Sequence, residues 1–62
     1  MKGLYENIRR LCEERNISIH ELERKAKLSE NSIYAWQKTN PSFAKVKQAA
    51  DALGVKMEEL LE

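Results

Sequence analysis

Two helix-start signals, eleven residues apart, constrain this chain more than any other feature of its sequence. Ser18 stands three residues before Glu21, and this pair can form a capping box in which each side chain binds the other residue's backbone amide. Ser29 opens a second signal of the same type and is expected to cap the next helix. The spacing leaves about eight residues for one helix and about three for a turn before the next helix. Two helices this short and this close must cross steeply.

The rest of the chain also follows a helical pattern. Leu4, Ile8 and Leu11 recur at helical spacing, and no stretch of the sequence alternates as a strand does. Ser42 follows the single proline and can cap a further helix. The sequence therefore predicts an all-α fold, a compact domain over residues 1–62 with five helices. Their expected ranges are about 2–14, 19–26, 30–38, 43–53 and 57–61.

Composition excludes several classes of protein. The 62 residues include one cysteine, Cys12, and one histidine, His20, so disulfide staples and a zinc finger are excluded. No apolar run approaches the roughly 20 residues that span a bilayer. We therefore expect a soluble cytoplasmic chain without a membrane partner.

The charge is unevenly distributed although the net charge is only +1. Residues 24–47 carry six lysines and arginines against one acid, Glu30, for a net charge of +5. Residues 51–62 carry Lys56 against four acids, for a net charge of −3. One part of the surface could therefore face a polyanion such as DNA, although mixed charges also commonly coat solvated helices.

The order of these signals resembles the lambda-repressor and Cro-like family of regulators. The resemblance lies in residues 17–36, ISIHELERKAKLSENSIYAW, and continues through Pro41-Ser42, AADALGV at 49–55 and MEELL at 57–61. It implies the five-helix repressor-like domain, with a helix-turn-helix formed by helices 2 and 3. It also implies binding of double-stranded DNA, usually as a dimer on a palindromic operator.

Four positions depart from the family pattern. Lys27 stands where the family has a turn glycine, and a left-handed conformation there costs about 1 kcal/mol. Glu23 replaces a small residue at the helix crossing, so it must point outward or find a partner. Ile19 replaces a glutamine that helps to hold phosphate. Lys56 is a poor cap, so we expect the last helix to fray.

The resemblance implies that the third helix enters the major groove with its outward face. Leu28, Ile33 and Trp36 occupy the core stripe. An asparagine can pair with adenine, a glutamate can accept from cytosine, and an alanine or a tyrosine ring can pack on a thymine methyl. For each residue the alternative is a solvated surface position. The expected base contacts are Glu30, Asn31, Tyr34 and Ala35.

Phosphate contacts and a dimer contact complete the expected interface. The backbone amides at the starts of helices 2 and 4 can donate to phosphate. The apolar surface of the last helix exceeds what five residues bury, which predicts a weak or DNA-induced homodimer through Val55, Met57, Leu60 and Leu61. The expected phosphate contacts are Ser18, His20, Ser29, Lys38, Thr39, Asn40, Ser42 and Lys45.

The remaining conspicuous residues are interpreted as core. Trp36 and Cys12 are assigned to packing, and so are Phe43, Val46, Ala50 and Leu53 of helix 4. No metal cluster, nucleophile–base pair or glycine-rich phosphate loop is recognisable, so we predict no enzyme, cofactor or small-molecule substrate. The alternative to an operator-binding regulator is a protein-interaction module, such as an antitoxin with weak or no DNA binding.

Overall fold

The computed structural model describes residues 3–62, which form five α-helices and no strand. The all-α, five-helix prediction is confirmed. The ranges of the last two helices agree with the sequence, whereas the third helix is much shorter than expected, and Lys2 of the predicted first helix lies outside the described residues. The helices are α1 (Leu4–Glu14), α2 (Ile19–Lys25), α3 (Ser32–Ala35), α4 (Phe43–Leu53) and α5 (Met57–Leu61).

The core is built from one apolar stripe on each helix. Packing of α1 on α5 and of α2 on α4 encloses it. Trp36 and Cys12 are 3% and 2% exposed, which confirms their assignment to packing. Burial raises the pKa of the Cys12 thiol more than nearby Arg15 lowers it, so the thiol stays protonated at neutral pH. The other buried members are Leu4, Ile8, Leu11, Leu22, Ile33, Val46, Ala49, Ala50, Leu53 and Leu60.

Two apolar residues were assigned to the wrong environment. Phe43 is 71% exposed, because it is the first residue of α4 and lies one turn before Val46, where the buried stripe begins. Leu60 has no exposed surface, because α5 packs between α1 and α4. A side chain without exposed surface cannot contact a second copy, so the assignment of Leu60 to a dimer contact is wrong.

Side chains of α1 and of Arg15, the residue that follows it, tie the bundle together through backbone carbonyl oxygens. Asn7 donates from Nδ2 to the carbonyl oxygens of Leu60 and Glu62, each at 2.8 Å, which holds the end of α5 against α1. Arg15 donates from Nε to the carbonyl oxygen of Leu53 at 3.1 Å. These contacts satisfy carbonyls that a helix end leaves without intrahelical partners.

Two of the predicted serine caps are confirmed. The Ser18 hydroxyl accepts from the Glu21 amide at 3.0 Å, and the Glu21 carboxylate accepts from the Ser18 amide at 3.1 Å. The Ser42 hydroxyl accepts from the Lys45 amide at 3.3 Å and opens α4. These caps fix the residues at which α2 and α4 begin, the helices that precede and follow α3 in the chain.

Candidate nucleic-acid interface

The turn after α2 is built on a left-handed lysine. Lys27 has a φ of 60°, so the chain adopts at this lysine the left-handed conformation that costs about 1 kcal/mol relative to glycine. The amide of Leu28 donates to the carbonyl oxygen of Glu23 at 2.8 Å and closes the end of α2. The chain therefore reverses direction sharply after α2, and the segment that leads to α3 begins directly after this turn.

The start of α3 differs from the prediction. Asn31, not Ser29, is the residue before the helix, and its backbone is left-handed with a φ of 68°. A Ser29 cap would accept from the amide of Asn31 or Ser32, but the amide of Ser32 donates to the Ser29 carbonyl oxygen at 3.2 Å instead. The prediction that Ser29 caps this helix is therefore wrong.

The end of α3 is also early. The amides of Trp36 and Lys38 donate to carbonyl oxygens three residues back, at 3.0 Å each, so the chain tightens into turns after Ala35. The predicted helix 30–38 therefore contracts to four residues, with turns on both sides.

No side chain next to α3 caps its backbone amides, and Glu23 of α2 supplies the hydrogen-bond acceptors instead. Its side chain is 2% exposed. One carboxylate oxygen accepts from the amide of Asn31 at 3.0 Å and the other accepts from the amide of Ile33 at 3.1 Å. Of the two alternatives open for Glu23, the structure has the second, a buried side chain with a partner. An acid where α2 crosses the next helix was the only sequence signal for this contact.

The four expected base contacts lie on the surface of this turn and short helix. Asn31 is exposed, and its Oδ1 lies 3.3 Å from Nε2 of His20 on α2. Tyr34 is 63% exposed, and its ring meets that of Tyr5 edge-on, with centroids 6.1 Å apart. Sequence reasoning missed Tyr5, which supports the Tyr34 ring from α1. Glu30 and Ala35 are also exposed.

The expected phosphate contacts are all exposed, but their hydroxyls are not equivalent. The hydroxyls of Ser18 and Ser42 accept from amides and so keep a proton to donate. Thr39 donates its proton to the carbonyl oxygen of Ala35 at 3.1 Å, which leaves it only acceptor capacity. The eight exposed residues are Ser18, His20, Ser29, Lys38, Thr39, Asn40, Ser42 and Lys45.

The two expected helix N-termini differ in their charge. The first turn of α2 contains Glu21, whose carboxylate offsets the positive end of the helix dipole. The first turn of α4 contains no acid and carries Lys45. Further along α4, Lys47 is paired with Asp51 at 3.2 Å. The start of α4 is therefore the more favourable of the two for an anion.

A small open cleft of about 170 Å³ lies beside the turn, lined by His20, Glu23, Arg24, Leu28 and Glu30. Within residues 3–62, no group of three or more His, Cys, Asp or Glu side chains is arranged to hold a metal ion. In the same residues, no helix has the length and apolar character needed to cross a membrane.

The comparisons with known proteins agree with this architecture. A family model described as the Cro/C1-type HTH DNA-binding domain matches residues 7–62, from the first half of α1 to the end of the chain. Neither the curated proteins nor the solved structures gave a significant match. The match includes most of α1, the whole of the other four helices, the turn at Lys27 and the exposed residues of α3. The chain therefore belongs to the Cro/C1-type helix-turn-helix family of DNA-binding domains.

Proposed function

We propose that this chain is a transcriptional repressor that reads a palindromic operator through the major groove. The observation that carries the proposal is the exposed Asn31 side chain, on a turn whose Asn31 amide is held by the Glu23 carboxylate. In a helix-turn-helix domain, the residues at the start of the second helix meet the edges of the bases. Asn31 occupies that position, next to His20 of the preceding helix.

The four exposed residues divide the reading of bases among them. Asn31 pairs with the N6 and N7 edge of adenine, and Glu30 accepts from the amino group of cytosine. Ala35 and the ring of Tyr34 pack on thymine methyls. Because Tyr34 rests against Tyr5, its ring is oriented before DNA arrives.

Phosphate contacts hold the domain in register on the duplex. The uncompensated start of α4 and the hydroxyl of Ser42 form the stronger site. Ser18, His20 and Ser29 form a second set, and Lys38, Lys45 and Asn40 complete the interface. Thr39 can join them only if its hydroxyl gives up the hydrogen bond to the Ala35 carbonyl oxygen and donates to phosphate instead.

The dimer contact is proposed for the C-terminal end of the chain. Leu61 is 39% exposed, and Val55 and Met57 are partly exposed beside it. This surface is small and lies among acidic residues, which favours a dimer that forms on the operator over a stable dimer in solution.

A protein-interaction module is the competing function, and one observation favours it. Phe43 is 71% exposed at the start of α4, where an aromatic ring contributes little to a phosphate contact. The dependence of DNA affinity on salt concentration distinguishes the two functions. A domain that neutralises about 6 phosphates loses roughly a thousandfold in DNA affinity between 50 and 200 mM salt, whereas a module without DNA binding has no such titration.

Selection of bound duplexes from a random pool at about 150 mM salt tests the proposal. We expect a palindrome whose half-sites lie about one helical turn apart. Recovery of no motif, with all binding lost as salt rises, would overturn operator binding and leave the protein-interaction module.

A glycine substitution at position 31 then tests what the Asn31 side chain contributes to base preference. Asn31→Gly is compatible with the left-handed backbone and removes the whole asparagine side chain, including its amide group. We expect a relaxed preference at one base pair, with about 1–3 kcal/mol less discrimination there. The matched control is Asn16→Gly, because Asn16 is also left-handed, with a φ of 56°, but follows α1. The control should recover the wild-type motif.

A further inference from the structure

Glu23 is a buried acidic side chain in the described part of the molecule, and the proposed DNA contacts do not use it. It is the only buried charged residue in residues 3–62, with 2% of its surface exposed. An isolated buried carboxylate is strongly unfavourable, so a buried one is kept only where hydrogen-bond donors surround it. The donors that hydrogen-bond to the Glu23 carboxylate therefore indicate the role of this residue.

Both partners of Glu23 belong to the start of α3. The amides of Asn31 and Ile33 donate to its two carboxylate oxygens at 3.0 and 3.1 Å, across eight and ten residues of chain. Hydrogen bonds to an ionised acceptor are about twice as strong as neutral ones. The carboxylate thus closes the helix start from outside the helix, where no local side chain does so.

This contact fixes the residue that is proposed to read adenine. The backbone of Asn31 is left-handed, and its amide is anchored on Glu23 while its Oδ1 lies 3.3 Å from His20. Pairing with adenine requires both the oxygen and the nitrogen of the asparagine amide to meet the base in one plane. A small rotation of the turn about α2 would carry the amide group out of that plane.

We propose that Glu23 is a positioning residue, which sets the direction in which Asn31 leaves the backbone and thereby the base preference at the position Asn31 reads. This inference rests on the proposed operator binding and adds a residue that does not touch DNA. It also implies that the carboxylate occupies the amides at the start of α3, so that these amides take no phosphate.

The test compares base preference, which a merely structural role would leave unchanged. Glu23→Gln keeps the volume but replaces one acceptor oxygen with a donor that faces an amide. We expect the preference at the Asn31 position, roughly 5- to 150-fold in the wild type, to fall to within a few-fold for this variant. The matched control is Ile8→Val, which weakens the core at α1 and should lower stability without changing the preference.

Hydrogen exchange in the DNA-free protein tests the same contact independently. Protection of the Asn31 and Ile33 amides should fall about tenfold or more in Glu23→Gln, relative to the Glu21 amide, since the loss of a local hydrogen bond permits local opening. The Glu21 amide is held by Ser18 and serves as an internal reference. If Glu23→Gln does not fold, both measurements move to a Lys27→Gly background, which removes the cost of a left-handed lysine.

Each outcome separates this inference from the proposed function. A wild-type chain without any base preference would overturn operator binding, and the inference with it. A wild-type preference that Glu23→Gln retains in full would overturn the inference alone, even if the two amides lose protection. Loss of preference together with loss of protection, while Ile8→Val keeps the preference, is the expected result.

Discussion

The starts of α2 and α3 carry similar serine signals but are stabilised in different ways. At α2, Ser18 and Glu21 exchange hydrogen bonds within four residues of chain. At α3, the nearby Ser29 caps nothing, and the amides of Asn31 and Ile33 donate to Glu23 of the preceding helix. The first cap is complete within its own segment, whereas the second exists only when α2 and α3 are packed together.

This difference separates stability from recognition. A local cap fixes where its own helix begins, and it does not depend on neighbouring helices. A cap supplied by another helix also fixes the angle and distance between the two. In this domain the second kind lies at the residues proposed to meet the bases, where geometry matters most.

The largest expected effect comes from removing the cap between helices. Glu23→Ala leaves the buried Ile33 amide and the partly buried Asn31 amide without acceptors, which should cost about 2–3 kcal/mol. For a domain of this size that lowers the melting temperature by roughly 10–20 °C. Thermal unfolding followed by circular dichroism measures it.

Glu23→Gln is the control for this prediction, because it retains one acceptor oxygen and should lose less stability than Glu23→Ala. Equal stability of wild type and Glu23→Ala would contradict the prediction that the carboxylate is needed to satisfy the two amides. It would mean that water reaches the two amides through the adjacent cleft and replaces the carboxylate.

Removing the local cap should have an intermediate effect. Ser18→Ala deletes the acceptor for the Glu21 amide and should cost about 1 kcal/mol. The amides of Asn31 and Ile33 should keep their protection from exchange, because their acceptor lies elsewhere. Urea unfolding gives the first quantity and hydrogen exchange gives the second. A loss of protection at α3 as large as that at α2 would show that the two caps are coupled.

Local signals predicted most of the fold. Helical periodicity and caps place α4 and α5 at their observed ranges, because Ser42 acts within three residues and Gly54 ends α4 with a φ of 73°. The errors have a common physical origin. Phe43 lies at the end of a helix and Leu60 on a five-residue helix, so packing between helices decides their burial and periodicity alone does not.

The candidate site was predictable as a set of exposed residues but not as a geometry. The outward face of α3 follows from the core positions of Ile33 and Trp36, which the structure confirms. The left-handed Asn31 and its anchor Glu23 could not be predicted in the same way. They depend on a contact across eight residues, and the sequence left both an exposed and a partnered Glu23 open.

The smallest expected effect on stability comes from Ser29, which the sequence predicted as a helix cap and which caps no helix in the structure. Ser29→Ala should change the free energy of unfolding by less than about 0.5 kcal/mol. The reason is that the Ser29 hydroxyl accepts no hydrogen bond from the amide of Asn31 or of Ser32, the two amides that a cap at this position would bind. The same substitution should weaken operator binding uniformly across sequences, since the exposed hydroxyl is proposed to donate to phosphate. Urea unfolding and a DNA titration measure the two quantities, with Ser18→Ala as the matched serine. A stability loss equal to that of Ser18→Ala would mean that α3 begins at Glu30 in solution, and that both helices start with local caps after all.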